Sequence, residues 1–123
     1  MSYYLSSVVK EGSDIRLSYK SNGNGRFSGL VGRFKRPEVE YEIKSFRRLI
    51  GIKTLRKGKV IGEIYYVYVD DPTILIENLI GLSRGSSIDD LANIFKTDTK
   101  LDVEETDNGL IRIVGGYKFS ASL

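Results

Sequence analysis

The sequence contains no cysteine and no histidine. The first absence rules out disulfide bridges and thiolate metal sites. The second removes Ser–His and Cys–His nucleophile pairs, imidazole general bases and histidine–zinc centres. Any chemistry must rest on Asp, Glu, Lys, Tyr, Ser or Thr, with a hard cation held by oxygens as the remaining metal class. Tryptophan is also missing, and there are two prolines and one methionine. No apolar run approaches the ~18–20 residues that cross a bilayer. The N-terminal MSYYLSSVVKEG lacks the basic segment and long apolar stretch of a secretion signal. These absences lead to the expectation of a cytoplasmic protein without a membrane span.

What remains is the composition of a globular protein. Hydrophobic residues make up 41% and charged residues 28%, and the aromatics are eight Tyr and five Phe, which argues against disorder. A chain of 123 residues fits a single domain, 1–123, and is long enough to bury a core without staples. No internal repeat, linker or low-complexity segment divides it.

Charge is distributed unevenly. Residues 1–66 carry 14 Lys/Arg against 6 Asp/Glu, and residues 67–123 carry 5 against 10. Within 26–59 there are 11 basic and 3 acidic residues. Such asymmetry points to an acidic partner for the basic half.

The hydrophobic pattern predicts an α+β fold with a mostly antiparallel sheet and two short helices. Residues 3–9 and 14–20 read as strands around a KEGS turn, the second with Ile15, Leu17 and Tyr19 on one face. SNGNG is a strong turn signal, because Asn and Gly tolerate positive φ. In 38–50, Val39, Tyr41 and Ile43 alternate with Glu38, Glu40 and Glu42. Helical spacing is also present (Val39, Ile43, Phe46, Ile50), but β-branched and aromatic content favours a strand. LIGIKTL and VIGEIYYVYV flank RKGK as a hairpin. Asp71 and Pro72 start a helix predicted over about 72–84 and stopped by Gly85. Ser87 starts a second over about 88–96. A C-terminal β-hairpin follows around Asn108-Gly109, and its two-residue loop would set Glu105 opposite Arg112. GGYKFSASL is a candidate edge strand.

The densest chemical signal is the basic stretch. Arg26, Arg33, Lys35 and Arg36 interleave with Phe27 and Phe34 among the glycines of GRFSGLVGRFKRP. Arg47, Arg48, Arg56, Lys57 and Lys59 continue the charge into the predicted RKGK hairpin tip. Basic residues neutralise phosphates and aromatic rings stack on unpaired bases. The glycine spacing matches neither the dinucleotide fingerprint nor a phosphate-binding loop ending in Gly-Lys-Ser/Thr. No cofactor is implied.

Acidic motifs are thinner. Asp70-Asp71 ends a predicted strand, but a metal pair needs further carboxylates. Glu42-Ile43-Lys44, with Asp14 upstream, is a three-residue fragment of one metal-dependent nuclease pattern, without the helix expected before the sheet. No residue is assigned as a metal ligand or catalytic group. The expectation is a non-catalytic protein that binds DNA or RNA through a basic surface spanning 26–59. The alternative is a protein-interaction module, an inhibitor, adaptor or self-assembling unit. Its basic half would dock an acidic protein surface, and a second copy could supply one in a homo-oligomer.

Overall fold

The computed structural model describes residues 3–21, 38–106 and 109–120. Strands β1 (Tyr3–Glu11), β2 (Asp14–Ser21), β3 (Glu38–Phe46) and β4 (Leu49–Arg56) form an antiparallel meander. The short β5 (Lys59–Val60) folds back on the end of β4, and β6 (Glu63–Tyr68) pairs with the rest of it. Two helices follow, α1 (Pro72–Ile80) and α2 (Ile88–Thr99). The hairpin β7 (Asp102–Glu105) and β8 (Ile111–Val114) comes next, and β9 (Tyr117–Ser120) then joins β6 as the far edge strand. The sheet order is β1-β2-β3-β4-β6-β9, with β5 attached to β4.

Strand periodicity selects one face for burial. Ile15, Leu17 and Tyr19 of β2, Val39, Tyr41 and Ile43 of β3, Ile50 and Ile52 of β4, and Tyr65 and Val67 of β6 are all buried. Leu75 and Leu79 of α1, Leu91 and Phe95 of α2, and Ile111 and Ile113 of β8 belong to the same core. Helices and hairpin therefore cover one face of the sheet, and the residues between the buried positions form the helix-free face. The Tyr41 hydroxyl accepts from the Ile111 N–H at 3.2 Å, fastening the hairpin to β3. Tyr19 meets Tyr41 edge-on, with centroids 5.9 Å apart.

The alternation in 38–50 resolves as strand, broken at Arg47–Arg48 by a tight turn that separates β3 from β4. Helix α1 begins as expected: Asp71 caps it by accepting from the Thr73 and Ile74 N–H groups, with Pro72 in the first turn. It ends at Ile80 rather than near 84. The downstream residues are recruited by the edge strand instead, since the Gly85 N–H donates to Leu5 O at 2.7 Å and the Leu5 N–H to Ser86 O at 2.8 Å. Helix α2 runs beyond 96 to Thr99, whose buried hydroxyl donates to the Phe95 carbonyl, while Asn78 holds Asp98 at 3.0 Å.

The C-terminal hairpin forms one residue out of the expected register. Arg112 pairs with Glu104, and Glu105 stands opposite Ile111. The Thr106 N–H donates to Leu110 O, and Gly109 takes φ +77°, so three residues rather than two make the loop. This register sets Val103 beside buried Ile113. The two-residue loop would have put Glu104 there, and a one-residue slip exchanges the faces of a strand.

Candidate nucleic-acid interface

Of the nine basic residues singled out in the sequence, Arg26, Arg33, Lys35 and Arg36 lie outside the described residues, as do the SNGNG turn, Phe27 and Phe34. The other five have distinct surroundings. Arg48 pairs with Asp70, Nη2 to Oδ1 at 3.0 Å, and Lys100 reaches the other Asp70 oxygen at 3.3 Å. The Arg56 guanidinium donates from Nη2 to the Tyr3 hydroxyl at 3.1 Å, and its Nε is buried without a hydrogen-bond partner. Both arginines are engaged by the fold. Arg47 stands at the β3–β4 turn with φ +57° and its guanidinium carbon 5.7 Å from the centre of the Phe46 ring.

Lys57 and Lys59 differ. They flank Gly58 at the β4–β5 turn, where Lys57 and Gly58 both take positive φ, +52° and +75°. Positive φ at both central residues is the mark of the mirror-image type I turn that suits hairpins. Both lysines are exposed, and neither makes an ion pair with a carboxylate among the described residues. The register brings this turn to a particular place. Lys20 faces Glu38, and Glu40 faces Leu55, so the β4–β5 turn projects from the sheet end where β2 stops at Ser21 and β3 starts at Glu38. The connection carrying the four outlying basic residues is therefore anchored beside Lys57 and Lys59.

The middle of the helix-free face is charge-balanced. Arg16 lies 3.8 Å from Glu40 and faces Glu42 in register, Glu42 faces Lys53, and Lys44 is 3.3 Å from Glu42. These exposed or half-exposed pairs are worth ~0–1 kcal/mol each. They show that the basic excess of 26–59 is not spread over the sheet.

Toward the opposite end the same face turns aromatic. One cross-strand row is Phe46, Leu49 and Tyr68, and the next is Asp14, Lys44, Gly51, Tyr66 and Tyr117. Phe46, Tyr68 and Tyr117 are 73%, 66% and 63% exposed, high for rings that usually serve a core. Because Gly51 has no side chain, the Tyr66 ring leans over it: a Cβ at 51 would lie 3.0 Å from Tyr66 Cε1. An open depression of about 290 Å³ remains, bordered by Phe46, Leu49, Gly51, Tyr66, Lys44 and Lys53, with Asp14 and Glu42 also at its rim. Sequence reasoning missed this cluster. The available signal was the phase of EIYYVY, in which Tyr66 and Tyr68 fall opposite to Tyr65 and Val67.

The fold thus brings Asp14, Glu42 and Lys44 together, but Glu42 is already paired with Lys44. Among the described residues no group of three or more acidic side chains is arranged to hold a metal ion. Comparison with protein families, curated proteins and solved structures finds no match for this chain.

Proposed function

We propose that this protein is a non-catalytic nucleic-acid-binding protein whose phosphate contacts come from the sheet end bearing the β4–β5 turn. The supporting observation is the register that sets the two ends of the 22–37 connection, whose sequence carries Arg26, Arg33, Lys35 and Arg36, beside exposed Lys57 and Lys59, which make no ion pair among the described residues. Cations gathered at a protruding turn neutralise phosphates without reading sequence. Arg48 and Arg56, engaged by Asp70 and Tyr3, contribute to the framework of the fold.

The test is fluorescence anisotropy of labelled oligonucleotides against nuclease-treated protein at ~50 and ~200 mM salt. Affinity should drop by orders of magnitude across that range if several phosphates are neutralised. The pair Lys57→Glu and Lys59→Glu should weaken binding and flatten the salt slope by about two. Unaltered affinity and slope in that double variant would exclude the turn.

A second reading uses the same turn against an acidic protein surface. It draws on the acidity of the opposite layer, where the helices and β7 expose Asp89, Asp90, Asp102, Glu104 and Glu105. A second copy could present that layer to the basic turn. Sedimentation at low and high salt separates the readings: a salt-sensitive oligomer in the absence of nucleic acid favours protein docking.

A further inference from the structure

We infer that the aromatic end of the helix-free face is a stacking site for an unpaired nucleobase, so that the partner is single-stranded rather than duplex. This rests on the nucleic-acid reading above and names the partner class for it.

Three observations carry the inference. First, the rings are presented rather than buried. Phe46 and Tyr68 project from one cross-strand row, on either side of Leu49, and Tyr117 from the next. Exposed rings on a sheet face supply flat apolar surfaces on which bases of any identity can stack. Second, the depression beside them is small. At about 290 Å³ it lies at the bottom of the range for ligand pockets, which suits one planar ring system. Gly51 and Tyr66 both line it, and the missing side chain at 51 lets the Tyr66 ring lean over the strand.

Third, the rim carries both signs of charge. Lys44 and Lys53 offer donors, and Asp14 and Glu42 offer acceptors. A phosphate would meet repulsion from the two carboxylates. The edge of a base presents donors and acceptors together, so a mixed rim is complementary to it. The Arg47 guanidinium, 5.7 Å from the centre of the Phe46 ring, is a planar cation beside one of the stacking rings. A base within a duplex has its faces covered by its neighbours and cannot enter such a site unless it is taken out of the stack.

The experiment compares a ten-nucleotide single strand carrying 2-aminopurine with its matched duplex, using the whole chain. Wild-type protein should bind the single strand at least tenfold more tightly than the duplex. The double variant Phe46→Ala/Tyr68→Ala should lose about tenfold or more of the single-strand affinity. Its duplex affinity and salt slope should stay unchanged, because no phosphate contact is removed. Both side chains are mostly exposed, and an unchanged melting temperature would confirm that the variant folds. Equal affinity for single strand and duplex, or single-strand affinity within twofold of wild type in the double variant, would overturn the stacking site while leaving the nucleic-acid reading standing. Failure of wild-type protein to bind either oligonucleotide at low salt would overturn both.

Discussion

Tyr66 lies over Gly51 on the adjacent strand, so that a β-carbon added at position 51 would come 3.0 Å from the tyrosine Cε1. The glycine backbone has no positive φ, so an L side chain is not excluded there by conformation. Alanine would gain roughly 0.5–1 kcal/mol in an extended strand relative to glycine. It would also push the Tyr66 ring aside. The expected result for Gly51→Ala is a small net stability change, within about 1 kcal/mol by urea denaturation, with altered ring resonances for Tyr66. Gly51→Val, which demands more room, should destabilise by ~1–3 kcal/mol through overpacking. A clear gain for both variants, with Tyr66 unmoved, would show that the ring does not depend on the missing side chain.

Arg56 and Lys57 are neighbours in sequence with opposite expected behaviour. Arg56 donates to the Tyr3 hydroxyl and is half-buried, whereas Lys57 is exposed at the turn. Arg56→Ala should destabilise the protein by ~1–2 kcal/mol, the loss expected when a partly buried charged hydrogen bond is removed. Lys57→Ala should leave stability within about 0.5 kcal/mol and act only on binding. Thermal unfolding and oligonucleotide titration on the two variants separate these roles. Equal melting temperatures would show that Arg56 is not part of the framework.

The contrast also shows how far the sequence was readable. Alternation in DIRLSYK and EVEYEI identified strands and the residues sharing a face, because period two is a local property. It could not say which of the two faces would be covered, since that depends on where the helices return. Lys57 and Lys59 were legible as a hairpin tip from Lys-Gly and its flanking apolar runs. Arg56 looked equivalent, because only the fold brings Tyr3, more than fifty positions away, against it. Tyr66, Tyr68 and Tyr117 were hidden for the same reason. In sequence they look like core aromatics, and only the register of β4, β6 and β9 gathers them on the uncovered side.

Buried phenols make the fold sensitive to alkali. Burial raises the pKa of Tyr19 and of Tyr41 well above the ordinary value of 10.0, and Tyr65 is shifted in the same direction. The native state thus holds the phenol protons more tightly than the unfolded chain, where they leave near pH 10. Their contribution to stability is fully present below pH 10 and declines as pH rises from there toward the folded-state values. Denaturation monitored between pH 8 and pH 12 should show a plateau and then a fall above about pH 10. Tyrosinate absorbance in the native protein should account for only the exposed phenols until unfolding releases the rest. A Tyr41→Phe variant removes the acceptor for the Ile111 N–H and should destabilise by ~1–3 kcal/mol even at neutral pH. Stability unchanged up to pH 12 would contradict the buried environment of these rings.

The gathering of Asp14, Glu42 and Lys44 at one depression bears directly on the non-catalytic reading. Two carboxylates and a lysine beside a surface proposed to stack bases are the raw materials of metal-assisted phosphodiester hydrolysis. The observed arrangement is committed differently. Lys44 neutralises Glu42 at 3.3 Å, Asp14 stands opposite Lys44 across the strands, and no third carboxylate completes a cation cage among the described residues. Holding a divalent ion there would require Glu42 to exchange Lys44 for the metal while Asp14 supplied the only other carboxylate at the rim among the described residues. Single-stranded and duplex oligonucleotides incubated with the protein and millimolar Mg²⁺ or Mn²⁺ should therefore stay intact on a denaturing gel. Cleavage would have to vanish in Glu42→Gln and in Asp14→Asn to be assigned to this site rather than to a contaminant. Metal-dependent cleavage lost in both variants would convert the depression from a stacking site into an active site. With intact oligonucleotides, Glu42→Gln should instead leave Lys44 free to meet phosphate, raising affinity modestly and steepening the salt slope by about one.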